Sequence, residues 1–95
     1  MRRASRIDNN HREIVQAFRK LGCSVLPLHT IGKGVPDLLV ATGGRQEGQS
    51  MLIEIKAPKG RLNALQEEFR DNWLGKWAEV RTLDDVAEAV RRLRA

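Results

Sequence analysis

Asp37-Leu38-Leu39-Val40-Ala41-Thr42 and Met51-Leu52-Ile53-Glu54-Ile55-Lys56-Ala57 are two short, mostly apolar runs, joined by a glycine-bearing turn from Gly43-Gly44 to Gly48-Gln49-Ser50. Runs of this length bounded by turn residues read as strands, and two in succession predict a hairpin. The first has no polar residue between Leu38 and Ala41, so burial on both faces is expected. In the second, side chains alternate across the sheet: Ile53 and Ile55 share one face, Glu54 and Lys56 the other. An acid and a lysine within an apolar strand are not ordinary core.

Upstream, Thr30-Ile31-Gly32-Lys33-Gly34-Val35-Pro36 reads as a loop, and Cys23 to His29 as a short strand placed near a sheet edge by Pro27. Before it, Ile14, Val15, Phe18 and Leu21 follow a helical period over residues 9 to 21, with Asp8, Asn9 or Asn10 as cap and Gly22 as stop. Downstream, Pro58-Lys59-Gly60-Arg61 breaks the strand. Asn63 and Gln66 then resemble a capping pair for a helix ending near Gly75, whose stripe of Leu65, Phe69 and Trp73 is expected to pack into the core. Trp77 to Arg81 alternates as a last strand, and Thr82 with Asp85 caps a last helix carrying Val86, Ala89, Val90 and Leu93. The expected fold is α/β in the order αβββαβα, a mixed sheet flanked by helices, within one domain spanning residues 1–95.

Composition narrows the function classes. With 41% hydrophobic and 31% charged residues, the chain is neither collagen-like nor wholly disordered. Seventeen Lys and Arg against 12 Asp and Glu give a net charge of +5 and a pI near 10.1, which favours a polyanionic partner, although basicity also serves solubility. The excess is spread over Arg2/Arg3/Arg6, Arg19/Lys20, Lys56/Lys59/Arg61 and Arg91/Arg92/Arg94. Cys23, the single cysteine, excludes an intrachain disulfide and a structural Cys/His zinc site, and its apolar surroundings suit a small buried hydrophobe. His11 and His29 lack metal-ligand spacing. No run approaches the roughly 20 apolar residues that cross a bilayer, and the basic start precedes no apolar signal segment, so no membrane partner and a cytoplasmic location are expected. No phosphate loop ending in Gly-Lys-Ser/Thr is present, which rules out a helicase or ATPase role for these residues.

Asp37 heads the strand beside the one bearing Glu54, and a register that pairs them brings two carboxylates and the Lys56 ammonium together. Adjacent carboxylates raise one another's proton affinity, and a hard divalent cation between them relieves that repulsion. The same spacing also fits a Glu54-Lys56 ion pair on an exposed sheet face, with Asp37 merely following a turn at Pro36. Gln66 has a purely structural role open to it as a helix cap. Lys33, Lys59 and Arg61 read either as phosphate contacts or as solvated loop charges. Trp73 and Trp77 are alternatives for stacking on bases, with core packing favoured for Trp73 by its place on the stripe.

Gly34-Val35-Pro36-Asp37-Leu38-Leu39-Val40, Ile53-Glu54-Ile55-Lys56 and Gly60-Arg61-Leu62-Asn63 with Gln66 together resemble the virus-type replication-repair nuclease (VRR-NUC) family of the PD-(D/E)xK nucleases. The resemblance runs from Glu13 to Val80. It implies a restriction-endonuclease-like core and a nuclease using Mg²⁺, with Mn²⁺ able to substitute. Asp37 and Glu54 would bind the metal, joined by Glu13 and the backbone carbonyl of Ile55, with Lys56 catalytic and Gln66 assisting. Family members of this length look like phage or bacterial proteins acting on branched DNA, four-way (Holliday) junctions foremost, so a bacterial cell or a phage-infected host is the expected setting. Symmetrical incision of a junction needs two sites, hence a homodimer. The rival readings are a nuclease acting on flap or splayed-arm DNA, a nucleic-acid-binding module without catalysis, and a protein-interaction domain that is basic only incidentally.

Overall fold

The computed structural model describes residues 9–43 and 47–95. The Arg2/Arg3/Arg6 cluster, the Asp8 cap and the middle of the turn after Gly43 lie outside the described residues. Along the chain come α1 (Asn9–Lys20), β1 (Ser24–Pro27), β2 (Leu38–Ala41), β3 (Ser50–Ile55), α2 (Ala64–Asn72), β4 (Trp77–Val80) and α3 (Leu83–Arg94). This is the αβββαβα order and a mixed sheet, consistent with a restriction-endonuclease-like core. The strands lie in the order β1-β2-β3-β4. The first two pairings are antiparallel and β3–β4 is parallel, so the expected hairpin forms and the Pro27 strand takes an edge.

Helices α1 and α3 cover one sheet face. Ile14 and Phe18 of α1 and Val86, Ala89, Val90 and Leu93 of α3 close over Leu38, Val40, Met51, Ile53, Ile55, Ala78 and Val80. Burying a side chain such as Phe18 or Ile14 contributes about 1.5–3 kcal/mol each. Cys23 is buried at the rim of this core, and burial, only partly opposed by Arg94, raises its thiol pKa, as suits an inert hydrophobe. Helix ends are closed by local chemistry. After α1, Gly22 at φ 89° lets its own N–H reach Arg19 O and the Cys23 N–H reach Phe18 O, a paired closure that glycine adopts without strain. Thr82 and Asp85 form a reciprocal capping box at α3, and its last turn carries Arg91, Arg92 and Arg94 against the negative end of the helix dipole.

The other sheet face departs from two expectations. Strand β2 is fully buried at Leu38 and Val40 but only half-buried at Leu39 and Ala41. Helix α2 buries none of its residues; Leu65 and, at the C-cap, Trp73 are about half exposed, so the stripe does not enter the core. The reason is the surface beneath it: α2 lies over the side of β3 that presents Glu54, and its Gln66 meets a carboxylate there instead of an apolar layer. The glycine loop is clamped against this helix. Gly32, Lys33 and Gly34 all have positive φ, and a Cβ on Gly34 would fall 2.5 Å from the Leu65 carbonyl oxygen.

Candidate active site

The β2–β3 register pairs Leu38 with Ile53, which sets Asp37 opposite Glu54 one step beyond the ladder. One Asp37 oxygen, Oδ2, accepts the Ile55 N–H at 2.8 Å, fixing the carboxylate against the β3 backbone. The Asp37 carboxylate acts on Glu54 from across the register, and two carboxyl groups so placed resist ionising together. Glu54 is only 3% exposed. Burial first, then the negative charge of Asp37, push its pKa up to about 8; Lys56 pulls the other way, and Glu79, its neighbour in the β3–β4 register, adds to the rise. Without another ligand Glu54 therefore keeps its proton well above the usual carboxylate range.

Gln66 serves two partners at once. Its Oε1 accepts the Asn63 backbone N–H at 2.9 Å while the Asn63 side chain accepts the Gln66 N–H, a closed capping box. That leaves its amide NH₂ to donate to Glu54 Oε2 at 3.2 Å. The other oxygen, Glu54 Oε1, is buried with no hydrogen-bond partner. A hard divalent cation fits this set of donors: paired carboxylates that repel when ionised, and one buried oxygen still lacking a positive neighbour.

Lys56 follows two residues after Glu54 on the same face and is half-buried. Its backbone is gripped from both sides, its N–H by Val80 O and its carbonyl by the Asn10 side chain at 3.1 Å. The loop beyond turns back over it, a Cβ on Gly60 falling 3.7 Å from Lys56 Cδ. Lys59 and Arg61 are exposed on this loop, and Lys33 is exposed on the glycine loop facing α2. Arg81 pairs with Glu79 and also donates to the carbonyls of Ala57 and Pro58, tying β4 to the same loop.

Asp37, Glu54, Lys56 and Gln66 thus come together, with the Ile55 backbone against the Asp37 carboxylate. Glu13 is exposed on α1, and among the described residues no group of three or more His, Cys, Asp or Glu side chains gathers where a metal ion could sit. Sequence reasoning gave Asn10 only a capping role, whereas its side chain reaches across to Lys56 O. No local signal marks such a contact over 46 positions. The edge-to-face pair of His11 and His29, with ring centroids 5.5 Å apart, was equally invisible in the spacing.

Among the described residues no helix is long and apolar enough to cross a membrane. No curated protein matches the chain. Residues 3–83 match the VRR-NUC domain family, a match that includes every residue of this carboxylate, lysine and glutamine cluster and implies a nuclease of the PD-(D/E)xK type, a class that generally uses divalent metals. The paired carboxylates on a mixed sheet and that match over most of the length agree: the chain belongs to the VRR-NUC domain family.

Proposed function

We propose that residues 1–95 form a single nuclease domain that hydrolyses DNA phosphodiester bonds endonucleolytically with a divalent cation, Mg²⁺ or in its place Mn²⁺. The observation that carries this reading is the Asp37–Glu54 carboxyl pair, in which Glu54 is buried and its Oε1 has no hydrogen-bond partner among the described residues. Asp37, Glu54 and the Ile55 carbonyl would hold the cation, with Glu13 the further acidic candidate. The cation supplies Lewis acidity, acidifying water beside the phosphate and offsetting charge on the phosphoryl oxygens.

The chain's own groups do the remaining work. The Ile55 N–H holds Asp37 in place, and the Gln66 amide holds Glu54, so neither carboxylate must reorganise during the reaction. Lys56 brings a positive charge to the attacked phosphate and orients the water. Attack in line forms one P–O bond as the bond to the leaving sugar oxygen breaks. Lys33, Lys59 and Arg61 contact backbone phosphates, which makes affinity fall with rising salt.

Branched DNA is the proposed substrate, four-way junctions first, and a homodimer would provide the two incisions that a junction requires. Flap and splayed-arm DNA form the alternative, favoured by the exposed aromatic side of α2. The test is incubation of labelled duplex, flap, splayed-arm and four-way substrates with Mg²⁺, Mn²⁺ or chelator. Metal-dependent nicking of a branched substrate is expected. Absence of cleavage on every substrate, or cleavage indifferent to chelator, would overturn the proposal.

A further inference from the structure

Half-buried Phe69 of α2 and exposed Trp73 at its C-cap lie along the same helix as Gln66 of the candidate active site. Trp73 is 45% exposed, and its ring stacks on Phe69 with centroids 5.4 Å apart and planes 17° from parallel. A depression of about 250 Å³ lies there, lined by this pair and by Lys33, Glu68 and Asn72. A cavity of roughly 150 Å³ already accommodates benzene, so the space suits one aromatic base. Trp73 follows Gln66 by seven positions, about 10 Å along the helix axis, or a nucleotide or two along an extended strand.

We propose that this depression binds one unpaired nucleobase of the substrate. The inference rests on the nuclease reading above and specifies its substrate as DNA with an unpaired nucleotide next to the incised bond. The base stacks on the Phe69–Trp73 pair, a sequence-tolerant contact open to any base. Lys33, held over the groove by the clamped glycine loop, meets the adjoining phosphate. The polar lining adds hydrogen-bonding groups: Glu68 offers a carboxylate, and Asn72, one N–H of which donates to the Glu68 carbonyl at 2.9 Å, keeps its second N–H and its amide oxygen.

The experiment measures anisotropy of labelled splayed-arm and blunt duplex DNA in chelator, where binding is separated from cleavage. The wild type should prefer the splayed-arm substrate. Trp73→Ala should reduce that preference about tenfold, and Trp73→Phe should restore most of it. An unchanged preference in Trp73→Ala overturns the proposal. So does dissociation of a dimer by that substitution, which would assign the face to a second copy. The unaltered chain gives a second measurement independent of folding: a 5-iodouracil at the unpaired position next to the branch should crosslink on irradiation to the peptide holding Phe69 and Trp73. An adduct confined to other peptides contradicts the assignment. Metal-dependent cleavage of any substrate by the wild type tests the nuclease reading separately, so the two can fail independently.

Discussion

Replacing Glu54 with glutamine preserves the shape of the side chain and removes its titration. Glu54 is 3% exposed, and burial together with Asp37 raises its pKa from 4.5 to about 8. Between those values the folded chain retains a proton that the unfolded chain has released. This contribution to stability is therefore complete below pH 4.5 and is lost as pH rises through about 8. Within that window the loss approaches about 1.4 kcal/mol per pH unit, large against a total stability of roughly 5–15 kcal/mol. Urea unfolding in chelator, repeated from about pH 5 to pH 8, should show the wild type weakening steadily and Glu54→Gln nearly level. Added Mg²⁺ should oppose the trend in the wild type, because a cation bound to the ionised pair stabilises the fold more as protons cease to compete. Parallel curves for the two proteins in chelator would refute the reasoning, since they would mean that folding leaves the Glu54 carboxylate as easily ionised as in the unfolded chain.

Three other substitutions separate the parts of the account. Gly34→Ala combines left-handed strain with a 2.5 Å approach to the Leu65 carbonyl; a loss of about 2–4 kcal/mol is expected from denaturant unfolding, and a loss below about 0.5 kcal/mol would contradict the clamped geometry. Thr82→Ala removes the α3 cap and should cost about 1 kcal/mol in the same assay without altering cation affinity, since α3 lies across the sheet from the carboxyl pair. Lys56→Ala should retain cation-induced stabilisation, about 1.4 kcal/mol at ten times the dissociation constant, yet lose cleavage of labelled DNA; cleavage at the wild-type rate would remove Lys56 from the reaction.

The site was legible where its geometry follows from local rules. Alternation along β3 put Glu54 and Lys56 on one face, and a hairpin closing between Thr42 and Ser50 sets Asp37 opposite Glu54. Capping signatures at Asn63/Gln66 and Thr82/Asp85 identified both helix starts because each closes within four residues. Periodicity misled at α2: Leu65, Phe69 and Trp73 mark an apolar side correctly, but the pattern within a helix does not say which sheet face it covers, and α2 lies over the one that carries Glu54. The family resemblance suggested Glu13; the approach of α1 to the sheet depends on tertiary packing, which also brings the Asn10 side chain to the Lys56 carbonyl just after β3. The Ile55 N–H bond to Asp37 likewise joins segments 18 positions apart and leaves no trace in spacing.

The most direct measurement is isothermal titration of Mg²⁺ or Mn²⁺ into the wild type and Asp37→Asn near pH 7. One saturable event is expected in the wild type, with a heat that varies with the buffer's ionisation enthalpy as Glu54 gives up its proton, and no such event in the variant. Equal affinity in both proteins, or binding without proton release, would contradict a cation held between Asp37 and Glu54.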